Sequence, residues 1–402
     1  MTTWLNDASA NRHIKTYVKD FLDVSGNFTV RSSYPTTTPT YDWQPRGQIL
    51  CGFLENETNQ QFGHSVDMNA SGDTFITGEP WNTQYYNDTN NTGGGTGNSG
   101  AAYVYRYDAS AELWYQLGNT LKSGNNVDQA FGIGTRISDD GNRVIVVDDL
   151  YGGDNRGLPF VFDYDSSSNT WTEIFQSAGN HGLGHVYGNE YLGRMGIAIS
   201  GDGNVIAFAN SNGYDTEVWV YDPSSNTNWT ERTHYSTSVQ GGALRVTNSI
   251  APDLNYDGSR LAYRTQSSTD EVAVREWNST TGEYELVGSH IYNLGDGNGE
   301  NESVALNGAG NIVAFASSGR DRISVYKYDD ATSDWVQHGD YLYATPDNHN
   351  RFVNMANTNP GSVYAIANSL RMNYAGDKLI FGLGNTKAVS YTHLRAHETT
   401  RH

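Results

Sequence analysis

One short phrase returns along this chain: an apolar stretch, an Asn or Ser, a tight turn closed by Gly, and a second apolar stretch. Its copies are Val66-Asp67-Met68-Asn69-Ala70-Ser71-Gly72-Asp73, Ile137-Ser138-Asp139-Asp140-Gly141-Asn142, Ile199-Ser200-Gly201-Asp202-Gly203-Asn204, Leu254-Asn255-Tyr256-Asp257-Gly258-Ser259, Leu306-Asn307-Gly308-Ala309-Gly310-Asn311 and Met372-Asn373-Tyr374-Ala375-Gly376-Asp377. A degenerate copy opens the chain at Leu5-Asn6-Asp7-Ala8-Ser9-Ala10-Asn11-Arg12. The turn glycines are spaced 69, 62, 55, 52 and 66 residues apart. Repetition at that scale means an array of equivalent units.

Each unit continues in the same way. A third strand alternates aromatic and β-branched residues, as in Tyr103-Val104-Tyr105-Arg106-Tyr107 and Val325-Tyr326-Lys327-Tyr328. Such alternation suits a pleated strand. A polar turn such as Asp165-Ser166-Ser167-Ser168-Asn169 closes the next hairpin. A fourth strand then carries Trp43, Trp114, Trp171, Trp229, Tyr284 or Trp335, and four of these precede a glycine by four residues: Gly47, Gly118, Gly288 and Gly339. Four antiparallel strands per unit at this period predict an all-β fold, a seven-bladed β-propeller of four-stranded blades. The blades are expected at about 1–59, 60–128, 129–190, 191–246, 247–300, 301–361 and 362–388, the last truncated, forming one domain over 1–388.

Phe62-Gly63-His64-Ser65-Val66 with Gly78-Glu79-Pro80, Phe131-Gly132-Ile133-Gly134, and Leu192-Gly193-Arg194-Met195-Gly196 open successive copies. They resemble the FG-GAP repeat of integrin α-subunits and microbial surface proteins. Pro252-Asp253 through Asp257-Gly258-Ser259-Arg260-Leu261-Ala262-Tyr263 resembles the repeat of TolB-like and WD40-like propellers. The likeness implies fold and leaves function open. FG-GAP loops that hold calcium offer several acidic oxygens, whereas these turns are too short for the six to eight that calcium takes. No metal and no cofactor are expected. Residues 389–402, beginning Val389-Ser390-Tyr391-Thr392-His393-Leu394-Arg395, resemble a translated sequencing adapter and are expected to be a non-native tail.

A net charge of −20 argues against a nucleic-acid partner. No run approaches the ~20 apolar residues of a membrane span. Cys51, the only cysteine, sits among apolar neighbours and reads as a buried hydrophobe. The chemistry motifs are poor. His181 and His185 flank a Gly-rich segment unsuited to a helical zinc pair, and Gly93-Gly94-Gly95-Thr96-Gly97-Asn98 has no Lys to serve as a phosphate loop. The favoured binding surface is the face of the loops between second and third strands. Trp81, Tyr85 and Tyr86 stand in one such loop and Asp149, Tyr151 and Asp154 in the next. Rings beside amides and carboxylates suit sugars. The expected function is a non-enzymatic recognition or adhesion module, extracellular or on a cell or particle surface, with a protein or glycan partner. The alternatives are a propeller hydrolase or lyase acting on polysaccharide, and an intracellular WD40-like scaffold. Three or more carboxylates in the central channel would favour the enzyme, and a dry, featureless channel the binding module.

Overall fold

The computed structural model describes residues 46–50, 61–82, 99–123, 130–150, 157–176, 192–193, 196–209, 216–225, 228–232, 249–265, 271–292, 303–317, 322–343, 370–383 and 387–392. They fall into two compact units. Residues 46–50 with Tyr107–Tyr115 form one, and the remainder the other. In the first, Trp114 is clasped by Gln48, whose side chain donates to the Trp114 carbonyl at 2.6 Å and accepts its N–H at 2.8 Å.

Every element is a strand, and the described strands make six antiparallel sheets. The first joins β1 (Val66–Met68), β2 (Thr74–Glu79), β3 (Ala101–Asp108) and β4 (Leu113–Gln116) in order. The second joins β5 (Gly134–Ile137), β6 (Arg143–Asp148), β7 (Leu158–Asp165) and β8 (Thr170–Gln176). The third holds β9 (Ile197–Ile199), β10 (Val205–Ala209), β11 (Thr216–Tyr221) and β12 (Trp229–Glu231). The fourth holds β13 (Ser249–Leu254), β14 (Arg260–Thr265), β15 (Glu271–Asn278) and β16 (Glu283–Leu286), with β17 (Ile291–Tyr292) also pairing β15. The fifth holds β18 (Val304–Leu306), β19 (Ile312–Ser317), β20 (Arg322–Asp329) and β21 (Asp334–Gln337), with β22 (Leu342–Tyr343) on β20. The sixth has three strands: β23 (Leu370–Met372), β24 (Lys378–Leu383) and β25 (Lys387–Thr392). The chain is an all-β propeller. The degenerate first copy lies outside the described residues. So do Cys51, Trp43, His181 and His185.

The period-2 pattern of the second strands sets the core. Val144 and Val146 pack toward Ile76, Ala102 and Val104 of the preceding sheet. Their neighbours Ile145 and Val147 pack toward Ile197, Ile206 and Phe208 of the following one. The same exchange joins Ala207 to Leu261, Val274 to Val313 and Val325 to Leu379. Both faces of a blade are thus buried, which is why these strands read as nearly unbroken apolar runs.

The turn phrase has a common construction. Its leading Asn or Ser accepts the N–H that starts the second strand: Asn69 from Thr74 at 3.0 Å, Ser138 from Arg143 at 3.1 Å, Asn307 from Ile312 at 2.8 Å and Asn373 from Lys378 at 2.8 Å. The closing glycines 72, 141, 203, 258, 310 and 376 all take positive φ, from 64° to 77°, a region closed to most side chains. The turn acids are used within their own turns. Asp140 accepts from Ser138 at 2.6 Å, and Asp202 from Ser200 at 2.6 Å. Neighbouring turns are also stitched by backbone: Ala70 N–H to Asp139 O at 3.1 Å, Asp139 to Gly201 at 2.8 Å, Tyr256 to Gly308 at 3.0 Å and Gly308 to Tyr374 at 3.0 Å.

The fourth-strand aromatics Trp114, Trp171, Trp229, Tyr284 and Trp335 are all buried. Trp171 donates its indole N–H to Leu117 O at 2.8 Å and Trp335 to Val287 O at 2.7 Å, each one repeat back. The glycine after that carbonyl makes the room. A Cβ at Gly118 would stand 2.7 Å from Trp171, and one at Gly288 3.0 Å from Trp335.

Candidate functional site

The first strands of a propeller surround its axis, and β1, β5, β9, β13, β18 and β23 pack on one another in chain order. Two residues ahead of the turn's leading Asn or Ser, they carry Asp67, Arg136, Ala198, Asp253, Ala305 and Arg371. Four of these six equivalent positions are charged, and the residues on either side of each are mostly apolar. Side chains two apart share a strand face, so equivalent register gives these six residues an equivalent outlook.

The charges meet across the sheets. Arg371 on β23 places Nε 3.2 Å from Asp67 Oδ1 on β1 and Nη1 3.4 Å from Asp253 Oδ1 on β13. Each carboxylate spends its second oxygen on the next first strand. Asp67 Oδ2 accepts from the Ile137 N–H at 3.0 Å, and Asp253 Oδ2 from the Leu306 N–H at 2.7 Å. Arg136 is 2% exposed and donates Nη1 to the Thr135 carbonyl at 2.8 Å. Arg371 Nη2, Arg136 Nε and Arg136 Nη2 are buried without a hydrogen-bond partner.

Burial decides the protonation of this group. It pushes the Asp253 carboxyl up to about 8; the Leu306 N–H opposes the rise and the charge of Asp67 adds to it. Burial raises Asp67 too, against the opposing charge of Arg371. Burial lowers Arg371, against the pull of Asp67. A carboxylic acid that holds its proton near neutral pH, beside a carboxylate and a guanidinium, can give one proton and take another. Two carboxylates and two guanidiniums are neither the three-carboxylate cluster nor the featureless apolar lining that the sequence reading set as markers.

The loop residues singled out from the sequence are placed as follows. Trp81 is half-buried, donates its indole N–H to Gln61 Oε1 at 3.0 Å and packs against the core between the second and third sheets. Asp149 is 1% exposed, beside Asp148, whose carboxyl burial pushes up to about 7. Tyr85, Tyr86, Tyr151 and Asp154 lie outside the described residues. Sequence reasoning missed Asp67, Arg136, Asp253 and Arg371. Their signal was a charged residue at one fixed offset inside otherwise apolar strands.

No protein-family model matches the chain, so neither the FG-GAP nor the TolB likeness gains support, and no curated protein matches it. Solved structures do. A protein from Lactobacillus plantarum shares 10% identity at a TM-score of 0.51, over 82% of this chain and 80% of its own. The periplasmic gluconolactonase PpgL of Pseudomonas aeruginosa shares 11% at 0.49, over 83% and 85%. The β-propeller domain of Cps50 (Swd1) from Myceliophteria thermophila shares 9% at 0.48, over 82% and 83%. At these identities the likeness is one of fold. The expectation of a non-enzymatic recognition or adhesion module is corrected. The first strands bury two carboxyl groups and a guanidinium where an idle core would be apolar. Among the described residues, no helix is long and apolar enough to cross a membrane.

Proposed function

We propose that this chain is a propeller hydrolase acting on a carbohydrate substrate, with its chemistry on the first strands. The observation that carries the reading is the sharing of Arg371 by Asp67 and Asp253, with Asp253 protonated to about pH 8. Asp67 takes a proton from water, and the water oxygen attacks the electrophilic carbon. Asp253 gives its proton to the leaving oxygen. Arg371, through its unpartnered Nη2, donates to the negative charge that develops between them. Trp81, half-buried on a second-to-third loop, is the described ring that would lie against a sugar. A glycan is the partner in this reading, and an extracellular or cell-surface setting agrees with the acidic composition.

The test is hydrolysis of a panel of polysaccharides together with glucono-1,5-lactone, which a protein of the same fold is named for. Asp253→Asn keeps the acceptor for Leu306 but carries no titrating proton. It should lower kcat by about 100-fold or more at pH 7, with Asp67→Asn similar. Turnover of no substrate, or an Asp253→Asn enzyme as fast as the parent, would sink the reading.

A further inference from the structure

A second candidate site lies on the face of the repeat turns, three residues beyond the first-strand charges in sequence. There, in the last four of the six described repeats, the residue after the leading Asn or Ser alternates: Gly201, Tyr256, Gly308, Tyr374. Each tyrosine lies across the glycine of the repeat before it. A Cβ at Gly201 would stand 2.5 Å from the Tyr256 ring, and one at Gly308 2.1 Å from the Tyr374 ring. The two rings meet edge to face with centroids 5.4 Å apart. Backbone bonds fix them, Tyr256 N–H to Gly308 O and Gly308 N–H to Tyr374 O, both 3.0 Å. They are nevertheless 42% and 56% exposed. Large rings held rigid and left open to water are what a ligand-binding platform needs, because little ordering remains to be done on binding.

The rings border a cleft of about 410 Å³. Tyr328 stands on its wall, and Asp257, Glu276, Asn311 and Asp330 supply polar groups. Arg260 crosses it, bonded to Gly310 O at 3.0 Å and to Glu276 at 3.2 Å. Its charged lining is three carboxylates against one guanidinium. We infer that this cleft binds a neutral glycan chain, C–H faces on Tyr256 and Tyr374, hydroxyls donating to the carboxylates. The negative balance disfavours uronates and sulfated sugars. The site is separate from the acid–base group and stands or falls independently of the hydrolase reading.

Affinity electrophoresis through gels containing laminarin, dextran or galactomannan, with alginate as the acidic comparison, tests this. At least one neutral polysaccharide should retard the parent protein more than alginate does. Tyr374→Ala should weaken that retardation by about tenfold, while Tyr374→Phe should stay close to the parent. Gly308→Ala, which drives a methyl into the Tyr374 ring without removing it, should weaken it too. Thermal melting of each variant separates lost binding from lost folding. Asp253→Asn should be retarded like the parent, and retardation of a parent protein that turns over no substrate would overturn the proposed activity and leave the cleft assigned. No retardation by any neutral polysaccharide, stronger retardation by alginate, or an unaffected Tyr374→Ala would each overturn the cleft proposal.

Discussion

Asp253 combines two structural contacts with an unusual protonation state. Its Oδ2 closes the Leu306 N–H of the next first strand, and its Oδ1 meets Arg371. Burial nevertheless keeps it protonated up to about pH 8. The consequence for stability has a definite sign. Between about pH 4, where the unfolded carboxyl ionises, and about pH 8, the folded state holds a proton that the unfolded state has lost. Stability from this group is therefore complete below about pH 4 and falls as pH rises toward 8. The full drop is on the order of 5 kcal/mol. Asn at this position does not titrate. Urea unfolding of Asp253→Asn and the parent at pH 5 and pH 8 should show the variant gaining on the parent as pH rises. A constant difference would mean that Asp253 is ionised in the fold. The residue was visible in the sequence as Pro252-Asp253-Leu254. Its role was not, because Arg371 lies 118 residues away.

The unit of construction is the pair formed by a fourth-strand aromatic and the glycine of the preceding repeat. Two glycines of nearly equal φ separate the two costs. Gly282, at +71°, has nothing within 4 Å of a would-be Cβ, and Gly118, at +69°, has the Trp171 ring at 2.7 Å. Gly282→Ala should cost only the left-handed backbone, about 1–2 kcal/mol. Gly118→Ala should cost about 2–5 kcal/mol, because overpacking against Trp171 adds to it. Denaturation midpoints with unchanged slope decide this, and equal losses would refute the packing account. This level of the fold was the most legible in the sequence. The aromatic-to-glycine spacing and the turn phrase are local, and each recurs because each blade must meet the next in the same way. The extra strands β17 and β22 were not legible. Each is two residues long and pairs a third strand already paired on that side, with no pattern long enough to mark it. Strand β25 runs from Lys387 to Thr392 in register with β24, so the expected boundary at 389 falls inside a paired strand.

At the scale of the molecule, repetition fixes the scaffold while departures from repetition make the sites. The six equivalent first-strand positions read Asp, Arg, Ala, Asp, Ala, Arg. Their meaning appears only when the strands are arranged about one axis, which brings Arg371 to Asp67 across 304 residues of sequence. The favoured sequence reading looked to exposed loops for function, since exposed rings are the usual mark of a binding surface. It passed over buried charges, which cannot be paired without the fold. Arg371 links the last described sheet to the first and the fourth, so its removal reports on the whole ring. Arg371→Met keeps the stem and leaves Asp67 and Asp253 buried with no cation. Breaking a buried pair in this way costs roughly 3–5 kcal/mol. The loss should depend on pH. Without the guanidinium Asp67 titrates higher than in the parent, so the variant is penalised most at pH 8, where Arg371 offsets the charge of Asp67 in the parent. The penalty shrinks toward pH 5, where protonation removes the need for a partner. Adding Asp67→Asn and Asp253→Asn to Arg371→Met should restore much of the stability at pH 8, because no buried charge is then left alone. If Arg371→Met loses the same amount at both pH values and the triple variant is no better, Arg371 acts through packing of its stem, and the ring of charges holds nothing together.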